Sequence, residues 1–220
     1  MNAAEILSSL KALGNEKVRA HNTKFGAGDN QFGVKMGDIR AIAKKIKVDH
    51  ELSKSLWATG NVDARFVACL IMDPQKLTAE ELSDMARSEQ FTHVIDWLYT
   101  NLMKDRPDKE ELRKKWMADK HSMLNRLAWS LTGSRIVRDA GDMDLGAMLT
   151  QLENEMPTAP PNVQWTMNYA LANIGIHHAA YRELALQIGE RLGIYRDYPV
   201  SKGCVSPFAP IWINEMVKRQ

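Results

Sequence analysis

The chain has 220 residues and a net charge of +2, from 29 lysines and arginines against 27 acidic residues. A hydrophobic share of 45% is ordinary for one folded domain with a sizeable core, and it excludes a disordered or fibrous chain. Near-balanced charge means that any polyanion must be met by local basic patches, and two cysteines, Cys69 and Cys204, make no disulfide framework.

Met1-Asn2-Ala3-Ala4-Glu5-Ile6 lacks the basic-then-apolar layout of a secretory signal, so a cytoplasmic location is expected. Gly26-Ala27-Gly28 lacks the lysine and flanking strand of a phosphate-cradling loop. From there helical spacing dominates, and no strand alternation is found. Met36 to Ile46 is the first helix with broad apolar coverage. Asn61 caps the next, Val62 to Met72, in which Phe66 to Met72 is the longest wholly apolar run. That run falls far short of the ~20 residues of a membrane span, so no membrane partner is expected, and Cys69 within it reads as a small buried hydrophobe.

Thr78-Ala79-Glu80-Glu81 fits a capping box heading an amphipathic helix, Ala79 to Arg87. Phe91 to Met103 is again broadly apolar, yet it carries Asp96 between Ile95 and Trp97. Asp108 is read as the cap of charged Lys109 to Met117, and Ser122 to Val137 follows with Arg126 on an apolar background. Leu145 to Glu155 is amphipathic. Pro160-Pro161 opens Val163 to Ile176, which bears Gln164-Trp165-Thr166-Met167-Asn168-Tyr169. Gly14, Gly60, Gly133, Gly175 and Gly193 are placed near helix ends or connections. After Gly193 the chain turns irregular, and Ser206-Pro207 opens a short last helix whose Phe208, Ile211 and Trp212 form a packing face.

Broad and amphipathic helices alternate, the broad kind recurring every ~25–40 residues, as in stacked helix pairs. The predicted architecture is all-α, a helical-repeat solenoid (an α–α superhelix) with inner helices lining a concave face; an irregular helical bundle is the alternative. Residues 1–193 form the repeat domain, and 194–220 an extension packed on the last repeat.

An interior carboxylate needs a cation or a polar cleft, which makes Asp96 the leading candidate for chemistry. Arg126 either pairs with Asp96 or neutralises a phosphate. Trp165 and Tyr169, four residues apart, share a helix face. Trp97 is placed in the core, pointing away from Asp96. Lys35, Arg40, Lys44, Arg65 and Arg135 are the other phosphate candidates. Adjacent His177-His178 do not share a helix face, so no metal site and no cofactor are expected.

These residues in this order resemble the AlkD-type DNA alkylation-repair family, built from HEAT-like repeats, over roughly Gly33 to Gly193. Gly33-Val34-Lys35-Met36-Gly37-Asp38-Ile39-Arg40 is similar to the opening of that family's first repeat, and Leu56-Trp57 followed by Asp63-Ala64-Arg65-Phe66-Val67-Ala68 to its next helix. Asp96 falls at the family's functional aspartate, Arg126 at its cleft arginine, and Thr92 and Tyr169 where it has two cleft tryptophans. The resemblance implies a monomeric DNA glycosylase that grips double-stranded DNA and hydrolyses the N-glycosidic bond of N3- or N7-alkylated purines. Asp96 would stabilise the oxocarbenium sugar, and Arg126, Tyr169, Trp165, Thr92, Lys35, Arg40 and Arg65 would bind the DNA. With threonine at 92, a non-catalytic binder of distorted or branched DNA is the alternative reading, and a protein-interaction solenoid a third.

Overall fold

The computed structural model describes every residue from Met1 to Gln220, and all of its regular elements are helical. The chain divides into two compact units, Met1–Lys109 and Glu110–Gln220. The first holds α1 (Ala3–Ala12), α2 (Glu16–Lys24), α3 (Met36–Ile46), α4 (His50–Ala58), α5 (Val62–Ile71), α6 (Ala79–Arg87) and α7 (Thr92–Leu98). The second holds α8 (Lys109–Met117, opening at the boundary), α9 (Ser122–Arg138), α10 (Leu145–Glu155), α11 (Pro161–His177), α12 (Arg182–Leu192) and α13 (Ala209–Val217). Helices α3, α6, α8 and α10 coincide with the predicted ranges. Asn61 and Thr78 cap α5 and α6, Thr78 in a full capping box with Glu81. The Thr78 amide and the Lys54 ammonium hold the Glu81 carboxyl down at about 2. Asp108, directly before α8, makes a bidentate ion pair with Arg106.

Helix α5 is the hub of the first unit and packs against α1, α3, α4 and α7. Phe66, Val67, Ala68, Cys69 and Ile71 are all buried, as an apolar helix with neighbours on every side requires. Asp63, in its first turn, is fully buried too, a costly place for a carboxylate without partners. Its Oδ2 accepts from the amides of Phe32 (2.5 Å) and Gly33 (3.2 Å), and its Oδ1 from that of Val34 (2.8 Å). Gly33 has φ +76°, and a Cβ there would stand 2.5 Å from the Arg19 nitrogen and 2.6 Å from the Asn15 oxygen, so no larger residue fits. Two residues earlier, Asn61 donates to the Asn30 side chain, and Asn30 donates to the Thr59 carbonyl. The segment before α3 is thereby stitched to α5.

The predicted helix from Phe91 to Met103 divides: α7 ends at Leu98 and Tyr99–Met103 widens into a π turn. Thr100 Oγ1 donates to the Asp96 carbonyl and Asn101 Nδ2 to the Trp97 carbonyl, both at 2.8 Å. Such back-bonding competes with the α ladder, and the Lys104 amide reaches Tyr99 O five residues back. The π turn therefore sits directly behind Asp96, and such turns are frequent at functional sites.

In the second unit, the 17-residue helices α9 and α11 pack along one another. Gly133, expected near a helix end, lies inside α9, where a Cβ would stand 2.9 Å from the Tyr169 ring. Gly175 gives the same room to Ile213 of α13. The last helix opens at Ala209, two residues beyond Pro207, which rotates its packing face. Phe208, Ala209, Pro210 and Ile213 are buried, whereas Ile211, expected to pack, is 46% exposed.

Removing the Asp63 carboxylate orphans three backbone amides, at ~1–3 kcal/mol for each buried unsatisfied donor. Asp63→Ala is expected to lose about 3–5 kcal/mol of unfolding free energy in a urea titration. A loss below ~1 kcal/mol would contradict the anchoring role.

Candidate nucleic-acid interface

Because Asp63 fixes residues 32–34, Lys35 and Met36 are delivered to the edge of a cleft of about 440 Å³. Asp96 and Trp97 of α7, His21 of α2, His93 and Phe66 complete its walls. Asp96 is half-buried, so its carboxylate belongs to the cleft and not to the sealed core. Lys35 is exposed at the rim.

Trp97 departs from its expected place. A step of about 100° along a helix separates adjacent residues, and the wide indole spans enough of that arc to line the same cleft as Asp96. The Arg40 guanidinium lies 5.2 Å from its ring centroid, and Phe66 packs against it edge-on at 4.9 Å. The indole is thus committed to protein contacts, and the exposed Arg40 is held on it by a cation–π contact. A run of rings borders this region: Phe91 to His93 at 4.7 Å, His93 to Phe25 at 5.9 Å and Phe25 to His21 at 4.6 Å. Thr92, half-buried at the first position of α7, stands one turn before Asp96 and offers no π-face.

Arg65 was expected to face phosphate, but its donors are spent inside the unit. Nη1 donates to Ser88 O and Glu89 Oε2, each at 2.8 Å, and Nε donates to Trp57 O at 3.3 Å. Its guanidinium also lies 4.8 Å from the Trp57 ring, and the Arg65 and Glu89 side chains are only 11% and 6% exposed. The other Glu89 oxygen accepts from the Gln90 and Phe91 amides, at 2.7 and 2.8 Å. Phe91 precedes α7 without a capping side chain of its own, so the Arg65–Glu89 pair positions the helix that carries Asp96.

The remaining candidates belong to the second unit. Arg126 is buried, 4% exposed, and its Nη1 donates to the Asn162 carbonyl at 2.6 Å. Burial pushes the Tyr195 hydroxyl up to about 12, against the opposing charge of Arg126. Trp165 and Tyr169 are each 38% exposed. Trp165 meets Tyr195 at 5.2 Å and Tyr198 at 5.7 Å, and Tyr169 meets Trp212 at 5.6 Å. Arg135 is bound to Glu110 and Asp142. No group of three His, Cys, Asp or Glu side chains is arranged to hold a metal ion. Nothing in the sequence marked Tyr195, Tyr198 or His21, because each gains its meaning from a neighbour on another element; Trp97 carried a signal only in its adjacency to Asp96.

Residues 6–196 match the model of a family described as DNA alkylation repair enzyme. The chain is 22% identical over 218 residues to the uncharacterized protein Lin0241 of Listeria innocua, and 21% identical over 218 residues to the uncharacterized protein Lmo0209 of Listeria monocytogenes. Both alignments cover 96% of each chain. A solved structure from a family related to the HEAT-like repeat DNA glycosylases, with affinity for branched DNA structures, superposes with a TM-score of 0.81 at 25% identity. That likeness spans 100% of this chain and 95% of the other.

Arg65→Ala leaves the Glu89 carboxylate buried without its cation, and a loss of about 3–5 kcal/mol in unfolding free energy is expected. Arg65→Lys should recover only part of it, because a single ammonium cannot serve three acceptors in a fork. Wild-type stability in either variant would overturn the positioning role.

Proposed function

Because the chain belongs to the DNA alkylation repair enzyme family, we propose that it binds double-stranded DNA at branched or distorted positions, with the Asp96 cleft of its first unit facing the strand. The observation that carries this reading is the full-length likeness, at a TM-score of 0.81, to the relative with affinity for branched DNA. The residues support it. Lys35 is an exposed cation lining the cleft, and exposed Arg40 stands over the Trp97 ring that lines it, so both present charge to phosphate. Phosphate contacts give affinity without reading sequence, which suits a protein that recognises the form of DNA. Arg65 does not join them, for its donors are engaged within the unit.

A second reading, base excision, is favoured by one further observation: Asp96 is half-buried in a cleft instead of sealed in the core. A purine alkylated at N3 or N7 already carries positive charge and leaves without protonation. The C1′–N bond breaks, the electron pair departs with the base, and water adds to the oxocarbenium carbon to leave an abasic site and one proton. A fixed carboxylate stabilises that cation and orients the water. An aromatic face would add ~0.5–2 kcal/mol of cation–π attraction, yet Thr92 has none and Arg40 already stands over one face of the Trp97 indole. The cleft therefore favours grip over chemistry.

Electrophoretic mobility shifts on forked, nicked and intact duplexes test the first reading. Tighter binding of the forked duplex is expected, and Lys35→Ala with Arg40→Ala should lower the slope of log affinity against log salt by about 0.9 per lost contact. Equal affinity for all three duplexes, or an unchanged slope, would count against it. For the second reading, release of N7-methylguanine is measured with wild type and Asp96→Asn. Excision predicts release above background that the substitution abolishes while binding persists; equal release from both proteins excludes Asp96 from the chemistry.

A further inference from the structure

The second unit has an aromatic trough of its own. Trp165 of α11, Trp212 of α13, and Tyr198, Pro199, Val200 and Cys204 of the connecting segment line a cavity of about 300 Å³. Trp165 and Tyr198 are 38% and 39% exposed, unusual for rings in a folded unit whose other large apolar side chains are mostly sealed. None of these rings is stacked face to face on another: Trp165 meets Tyr195 at 67° and Tyr198 at 54°, and Tyr195 meets Tyr198 at 90°. Ring area is therefore left for a ligand.

The backbone that delivers these rings is strained. Tyr195 has φ +63°, a left-handed conformation that a bulky aromatic residue seldom adopts and that is found preferentially at binding sites. Its ring packs against Trp165 at 5.2 Å and against Tyr198 at 5.7 Å. Lys202 is an exposed cation of the same segment, whereas Arg196 is paired with Glu190 at 2.8 Å and stands over the Phe208 ring.

From this arrangement we infer that the trough is a stacking site for an unpaired nucleobase of DNA, a reading that rests on the DNA-binding function proposed above. Every base has a π-face, so exposed rings take an unstacked base whatever its identity. A branch supplies such bases and an intact duplex does not. The trough thus gives a physical basis for preferring branched DNA, with Trp165 as the platform and Tyr198 as its flank.

The test uses the full chain and a forked duplex carrying one unpaired 2-aminopurine at the fork, compared with the same fork holding an abasic residue there. Wild type should bind the base-bearing fork roughly 5- to 100-fold more tightly, with 2-aminopurine fluorescence falling on binding. Trp165→Leu should remove that preference and Trp165→Phe should keep most of it. Cys204 lines the trough and Cys69 is buried, so thiol alkylation reports occupancy, and the base-bearing fork should slow it. Equal binding of the two forks overturns the stacking site and leaves DNA binding standing. Absence of binding to either overturns both readings. Protection of Cys204 by a proline-rich peptide, the other ligand that aromatic troughs suit, but not by DNA, overturns the inference as well.

Discussion

A buried carboxylate that accepts three consecutive backbone amides holds the first unit in order. Asp63 sits in the first turn of α5 and binds Phe32, Gly33 and Val34. Hydrogen bonds to a charged group contribute about 1.5–3 kcal/mol each, enough to fix a segment with no regular structure of its own. Two residues on, Arg65 grips Glu89, and Glu89 holds the amides that precede α7. Successive polar residues of a single buried helix thus place both walls of the cleft. One sets Lys35 and Met36; the other sets Asp96 and Trp97.

That economy explains what the sequence disclosed and what it withheld. Helices such as Ala79–Arg87 are written in local signals, a capping box and a repeating apolar stripe, and they were legible to the residue. The candidate Asp96 was legible as well, because a carboxylate on an apolar helix is costly wherever it points. The roles of Asp63 and Arg65 depend on partners that lie far off in sequence, so arginine in a charged setting read as a phosphate contact. Gly133 read as a helix end, because glycine's local preference is for ends; its actual use, room for the Tyr169 ring, is tertiary. The π turn after Leu98 follows from Thr100 and Asn101 bonding backwards, a local signal that apolar periodicity does not register. Ile211 turned outward once the last helix opened two residues later than proline placement suggested.

Membership in a DNA alkylation repair family and an all-helical, HEAT-like fold are compatible with both proposed readings, grip and chemistry, and the side chains bear on the choice. Excision of a cationic base needs a carboxylate and gains from free aromatic faces. The carboxylate is present, but threonine stands where the family resemblance implies tryptophan, and Arg40 occupies one face of the nearest indole. Free ring area is found in the second unit, around Trp165 and Tyr198. Cations at the cleft of the first unit and open rings in the trough of the second suit a protein that holds backbone and unpaired bases of branched DNA.

A crystal structure of the protein with a forked duplex is the most direct measurement. The account predicts strand phosphates at hydrogen-bond distance from Lys35 Nζ and the Arg40 guanidinium, with DNA covering the Asp96 cleft. A complex in which that cleft stays open to solvent and the duplex rests elsewhere on the chain would contradict it.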